Sequence, residues 1–329
     1  MTGPGRGGGG ADAGAVTDVL VLRALGLGDL LTSVPALRGL RRAWPQAGLR
    51  LAAPAAVGGW LASLGVVDDV VPVSGLEDAG RAGALGPAPD VAVNLHGSGP
   101  QSHELLRGLG ASRLAAYACP GAGHDDGPVW DDGEHEVDRW VRLSQWAGGA
   151  ASADDLRLPL PGPRGDHVVI HPGAAFGSRW WPVGRWAAVA RALATDGHNV
   201  LVTGTAAERE RCAAVAAAAP GAEDLCGALD LPGLAHTVGT AALLVSADTG
   251  VAHVATAFGT PSVTLFGPVS PRLWGARTDE QLHRALWHGT PADDRPGDAH
   301  AAVTDPRLVA IDVDEVLEAA AGVLGIATV

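Results

Sequence analysis

The stretch 243–268, LLVSADTGVAHVATAFGTPSVTLFGP, constrains the fold of this chain more than any other. Leu243, Leu244 and Val245 form a short apolar run suited to a strand buried on both faces. Small and polar residues, SADTG, then break the pattern. Beyond them Val251, Val254, Ala255 and Phe258 recur at helical spacing, and Gly259 with Pro261 closes the helix. A second apolar run, 262–266, follows at once. Strand, polar turn, helix and strand together make a βα unit of a parallel sheet. The polar turn lies at the carboxyl end of a strand and the amino end of a helix. Open α/β sheets bind ligands at such places, and the free helix N–H groups favour an anion.

The same alternation runs through the rest of the chain. In the first half, apolar runs at 18–22, 49–53, 70–73 and 91–95 read as strands. Helical spacing covers 30–44, 57–64, 105–109 and 135–146. Pro35 falls inside the first of these helices, so that helix is kinked or begins there. In the second half, strands are expected at 168–171 and 199–203 and helices at 183–194 and 206–219, before the 243–268 unit. A last helix, 313–324, is capped by Asp312. The stretch 148–165 is rich in Ala, Gly, Pro and Asp. These features divide the chain into a tail over 1–15, a first domain over 16–150, a linker over 151–165 and a second domain over 166–329. The fold class is α/β: two doubly wound, Rossmann-like domains facing a cleft. Residues 269–305 show no period and are expected to be irregular.

Composition removes several functional classes. The net charge of -13 argues against a nucleic-acid partner, because phosphate backbones require a basic face. The chain contains no lysine, so Arg supplies every permanent positive charge. Cys119, Cys212 and Cys226 lie far apart without a C-x-x-C pair and read as reduced thiols. Residues 1–15 are rich in Gly and Ala, unlike a signal peptide, and no apolar run of about 20 residues marks a membrane span. A cytoplasmic protein is expected, with at most transient peripheral contact with a membrane.

The first βα turn, residues 24–31, reads ALGLGDLL. It begins like a dinucleotide fingerprint, but Leu31 stands where the third Gly belongs. The second strand ends in Ala52-Ala53-Pro54, with no acidic residue for a ribose, so a nicotinamide cofactor is not expected. Asp29 has two readings here: a helix cap, or a carboxylate placed to take a proton from a hydroxyl in the cleft. No His, Cys and Asp cluster has metal-ligand spacing, and neither cofactor nor metal is expected.

Several segments, in order, resemble glycosyltransferase family nine, the bacterial heptosyltransferases that use ADP-heptose. GLGDLLTSVPAL (26–37) resembles its amino-terminal motif, whose Asp is the proposed general base; here that is Asp29. DVAVNLHGSGPQS (90–102) resembles its acceptor-side turn, which puts His96 and Ser102 toward the acceptor. SRWWP (178–182) resembles a segment in which a polar residue and a Lys precede W-P; Ser178 and Arg179 occupy those places. Arg179 departs from the pattern but still carries charge and bidentate geometry for a diphosphate. TGTAAE (203–208) places Glu208 where the family contacts ribose hydroxyls. DTGVAH (248–253) and the following LFGP resemble the donor-site motif, giving Asp248 near the sugar, Thr249 and Gly250 near the phosphates, and His253 beside them.

The resemblance implies a GT-B architecture. It also implies an inverting, metal-independent transfer of a sugar from a nucleotide diphosphate, with an ADP-sugar favoured, to a glycan or glycolipid hydroxyl. Each residue keeps a plainer alternative. Asp248 and Thr249 serve equally as helix caps, His253 as a core histidine, Arg179 as a surface cation and Glu208 as a helix-start acid. Two rival functions remain on the sequence: a nucleotide-sugar epimerase of the same architecture, and a nucleotide- or carbohydrate-binding module without activity.

Overall fold

The structure, a computed structural model, describes residues 15–290 and 297–327. The tail expected over 1–15 therefore lies, except for its last residue, outside the described residues.

Two parallel sheets organise the chain. The first contains β1 (Asp18–Leu22), β2 (Gly48–Ala53), β3 (Asp69–Pro72), β4 (Val91–Asn94) and β5 (Arg113–Ala115), in the order β3-β2-β1-β4-β5. The second contains β6 (Val168–His171), β7 (Val200–Val202), β8 (Glu223–Asp224), β9 (Leu243–Ala247), β10 (Ser262–Leu265) and β11 (His283–Leu286). Its order is β11-β10-β9-β6-β7-β8. Strand order reverses between β1 and β4 in one sheet and between β6 and β9 in the other. Those reversals open a crevice at the carboxyl edge of each sheet. The paired registers Leu22 with Asn94 and His171 with Ser246 fix which loops meet there. This is the α/β, two-domain GT-B architecture.

Burial on both faces explains why the central strands read as continuous apolar runs. Val19 and Val21 of β1 join one cluster, whereas Leu20 and Leu22 point into another. In the second sheet Val169 and Leu244 share a cluster with Val19 and Val21, while Val168, Ile170, Leu243 and Val245 face away from it. One apolar core therefore runs under the cleft from sheet to sheet. Trp60, on the helix Ala55–Ser63, and Phe258, on the helix Gly250–Phe258, meet within it at a ring separation of 6.3 Å.

The first helix begins before the expected 30–44 and is interrupted just ahead of Pro35, as that proline implied. It divides into Leu27–Thr32 and Val34–Ala43, with Ser33 between them. Pro35, at the start of the second piece, has no N–H to continue the hydrogen-bond ladder. The helix expected over 105–109 runs over Gln101–Arg107 and so contains Ser102. Within the tract expected to be irregular, β11 extends the second sheet as an edge strand paired with β10. Its sequence, HRAL, has no apolar run, and its middle two residues are exposed. Pairing across the edge, including Ser262 Oγ with His283 Nδ1 at 2.8 Å, holds it in place.

The segment 151–165 carries a short 3-10 turn, Ala153–Leu156, closed by reciprocal bonds between Ser152 and Asp155. Leu156 and Leu158 are buried, and Arg164 donates to the carbonyls of Phe258 and Gly259 at the end of a helix. The final helix, Val313–Ala327, begins as expected: the Glu315 amide donates to Asp312 Oδ1 at 2.9 Å.

Candidate active site

A cavity of about 1090 Å³ lies where the two sheets' reversal points face each other. Gly26, Leu27, Gly28 and Asp29 line it from the loop and helix after β1. From the second sheet come the loops after β6, β7 and β9. They supply His171 and Arg179, the run 203–208, and Asp248, Thr249, Gly250 and His253. The close fit of the two sides depends on glycine. A Cβ on Gly28 would lie 2.7 Å from the His253 ring, and one on Gly250 would lie 3.1 Å from the Gly28 amide nitrogen.

Asp29 sits in the first turn of Leu27–Thr32, but the cap position is Gly26. Its side chain is one-third exposed, at 33%. Burial raises its carboxyl above the usual range; Arg23 pulls it down and the Glu136 charge pushes it up. Across the cavity Asp248 is buried, and desolvation lifts it to about 6 against the pull of Arg179, with Asp29 adding to the rise. Asp248 therefore senses the charge of Asp29, which comes from the side of the other sheet.

Arg179 donates from Nη1 to the Asp248 carbonyl at 2.9 Å, while its buried Nε has no partner among the described residues. An unpaired buried donor is uncommon in folded proteins, and it leaves the Arg179 guanidinium with bonding capacity that its own neighbours do not use. Thr249 caps Gly250–Phe258, its Oγ1 accepting from the Val251 amide at 3.3 Å. The capping alternative for Thr249 thus holds, and the helix still directs its amino end at the cavity. His253 is buried against Trp274, with ring centroids 5.9 Å apart, and burial drives it down to about 4. It is therefore neutral near pH 7.

Glu208 has two sets of contacts. Its Oε2 accepts from the Thr205 amide at 2.7 Å and from Thr205 Oγ1 at 2.8 Å, closing a capping box. The carboxylate also rests on Gly173, where a Cβ would stand 1.9 Å from Oε1. That glycine is what brings the Glu208 carboxylate against the end of β6.

Three expected site residues stand elsewhere. Ser178 is buried, and its hydroxyl donates to the Ala299 carbonyl at 2.8 Å; it ties down the 299–305 segment and is not offered to the cavity. Ser102, on a helix rather than in the turn before it, is buried and accepts from Asn94 Nδ2 at 2.9 Å. His96 accepts from the Ala24 amide at 3.2 Å; burial, with Arg23 nearby, lowers it to about 4. Neither residue lines the cavity.

Two residues near the site were not legible as such. Arg23 is fully buried at the end of β1. It bonds the Asp29 and Leu95 carbonyls and places Nη2 2.9 Å from Glu136 Oε1 and 3.8 Å from Asp29 Oδ1. A lone Arg ending the apolar run VLVLR was the available signal, since an unpaired buried guanidinium is not tolerated. Glu136 opens the helix Glu136–Trp146, 113 residues from Arg23. Nothing local in the sequence joins the two.

Among the described residues, no group of three or more His, Cys, Asp or Glu side chains could hold a metal ion, and no helix is long and apolar enough to cross a membrane.

Residues 139–295 match the model of glycosyltransferase family 9 (heptosyltransferase). A curated relative, lipopolysaccharide heptosyltransferase 1 of Pseudomonas aeruginosa, is 34% identical over 168 residues, which cover 46% of this chain and 45% of that protein. The chain thus spans about half the length of the curated relatives it matches. Among solved structures, a family 9 glycosyl transferase from Veillonella parvula superposes with a TM-score of 0.76 at 20% identity, over 97% of this chain and 100% of the other. The Escherichia coli ADP-heptose LPS heptosyltransferase II does so with a TM-score of 0.74 at 21% identity, over 95% and 100%. At this identity both likenesses speak for the fold. Together they make this chain similar to glycosyltransferase family 9 (heptosyltransferase): residues 139–295 match the family's model, and the whole chain shares the fold of its solved members.

Proposed function

We propose that the protein is an inverting glycosyltransferase that moves a heptose-type sugar from an ADP-linked donor to a hydroxyl of a glycan or glycolipid of the lipopolysaccharide class. One observation carries this reading. Asp29 from the first sheet and the Arg179, Glu208 and Asp248–Gly250 set from the second line one cavity at both reversal points. The names of the curated relatives and the ADP-heptose enzyme of like fold favour this donor and acceptor.

In this mechanism the acceptor oxygen attacks the anomeric carbon from the side opposite the diphosphate. Asp29 takes the hydroxyl proton as the new C–O bond forms. The old C–O bond breaks, and its electron pair leaves on the nucleoside diphosphate. Arg179 and the amides opening Gly250–Phe258 meet the charge that develops there, in a cavity where such dipoles act strongly. Glu208, already oriented by Thr205, accepts from ribose hydroxyls. Asp248 faces the sugar. Its carboxyl, lifted to about 6, is a hydrogen-bond donor below that pH and only an acceptor above it. The transfer is assigned to the cytoplasm and requires no metal in this scheme, because Arg179 and the helix end answer the leaving charge.

A nucleotide panel tests the donor assignment. ADP at ~100 times its Kd should stabilise the fold by about 2.7 kcal/mol, while GDP, UDP and dTDP at the same concentration give less. A melting temperature that none of the four raises would refute a nucleoside-diphosphate site.

A further inference from the structure

We propose that Glu136 is the positioning residue of this site: it anchors the Arg23 guanidinium between two carboxylates and so fixes the place and electrostatic surroundings of Asp29. The inference rests on Asp29 being the base.

The geometry is specific. Arg23 Nη2 lies 2.9 Å from Glu136 Oε1 but 3.8 Å from Asp29 Oδ1, so the guanidinium is bonded to the first carboxylate and only leans toward the second. Glu136 Oε1 also accepts from Trp140 Nε1 at 2.7 Å, and Oε2 accepts from Arg139 Nη1. Arg23 stacks over the Trp140 ring at 4.6 Å. The cluster is buried: Arg23 is 0% exposed, Glu136 5% and Arg139 7%. Burial pushes Glu136 up, but Arg23 and Arg139 more than offset this, so Glu136 stays ionised.

Consider Arg23 with Asp29 alone. A buried guanidinium whose nearest carboxylate was the base would form a full ion pair with it. That pair would hold Asp29 in its charged form and make it a poor proton acceptor. Glu136 takes the direct bond instead, and its negative charge raises Asp29 while Arg23 lowers it. The other charged or titratable groups in this neighbourhood are His96 on the loop after β4, Arg139 on Glu136–Trp146, Asp248 on the loop after β9, Arg179 on the loop after β6, and His253 on Gly250–Phe258. His135, the residue before Glu136, is held by the Gly275 carbonyl at 3.1 Å. Of this set, only Glu136 is bonded to the cation that contacts Asp29.

The variant is Glu136→Gln, which keeps the side chain's shape and its acceptor oxygen while removing the charge. Single-turnover transfer from ADP-heptose is followed between pH 5 and 9, with rates normalised to ADP-binding sites, so that a destabilised preparation is still read. The expected result is an acid limb displaced downward by roughly one pH unit, with ADP affinity unchanged. Above the limb, the rate falls several-fold, because a weaker base takes the proton less well. Glu136→Asp restores the charge and keeps the limb near its original position. A limb that stays put in Glu136→Gln, or moves equally in both variants, overturns the proposal. Asp29→Asn separates the two ideas. If it leaves turnover intact, the base assignment fails. If it abolishes turnover while Glu136→Gln leaves the limb unmoved, only the role of Glu136 fails.

Discussion

Gly173→Ala is a small change with a consequence that can be worked out from distances. The new Cβ would stand 1.9 Å from Glu208 Oε1 and 2.2 Å from its Cδ, so the carboxylate must leave its place. In leaving, Oε2 gives up the Thr205 amide and hydroxyl, now 2.7 Å and 2.8 Å away. A lost cap of this kind costs about 1 kcal/mol, since water replaces part of each bond at this exposed turn. Reduced chain entropy in the unfolded state returns about 0.4–1 kcal/mol, because Gly173 does not need a positive φ. Stability is therefore expected to change by less than about 1 kcal/mol. Nucleotide affinity should respond more strongly. Hydrogen bonds from ribose hydroxyls to a charged carboxylate contribute roughly 1.5–3 kcal/mol, a loss of about 10- to 100-fold. Titration calorimetry with ADP and denaturant unfolding measure the two effects, and Glu208→Ala supplies the control background. In that background Gly173→Ala has no carboxylate to displace and should be neutral for ADP. If Gly173→Ala weakens ADP as much in the Glu208→Ala background as it does with Glu208 present, the coupling between these residues is refuted.

Three further outcomes follow from the same cavity. Arg179→Ala should lose both diphosphate affinity and turnover, whereas Arg179→Lys keeps most of both; equal losses would show that charge is not what Arg179 supplies. Asp248 is raised to about 6 from 3.8, so the native state binds the extra proton and ionisation on going from pH 4 to pH 6 costs stability. Asp248→Asn should therefore be more stable than wild type at pH 8, by on the order of 2–3 kcal/mol, with the gap closing below pH 6; denaturant melts showing a pH-independent gap would contradict this. Gly250→Ala puts a Cβ 3.0 Å from Leu27 Cβ and 3.1 Å from the Gly28 nitrogen, so it should cost roughly 1–3 kcal/mol in unfolding experiments. Gly59→Ala, with nothing within 4 Å, should be neutral or slightly stabilising, and similar results for the two glycines would undo the packing argument.

What the sequence disclosed follows a physical rule. Strands β1, β4, β6, β9 and β10 were visible because burial on two faces demands unbroken apolar runs. The turns after β1 and β9 were visible because polar and Gly residues interrupt those runs at a carboxyl edge, and both turns line the cavity. β11 was not visible, because an edge strand with its middle residues exposed needs no apolar pattern. Ser102 and Ser178 illustrate another limit. A hydroxyl at the right place in a motif can be turned inward to a neighbour's backbone or side chain, and only coordinates tell which. The Arg23–Glu136 pair is a third case: the Arg that ends VLVLR hints at a buried charge, but a bond spanning 113 residues leaves nothing local to name its partner. Gly173 shows the same limit from the other side: its need for Gly comes from Glu208, which belongs to another loop.

The most direct test of the account is the single-turnover rate of Asp29→Asn beside its ADP affinity. Asn keeps the size of the side chain but cannot accept the proton. Asp29 fills no cap position and lies in the helix after β1, across the cavity from Glu208 and Arg179, so its loss should leave the proposed nucleotide subsite intact. ADP is expected to bind within about threefold of wild type on this account, while sugar transfer to a lipopolysaccharide-core acceptor slows by about 10² to 10⁴. Transfer within a few-fold of the wild-type rate, with ADP still bound, would contradict it.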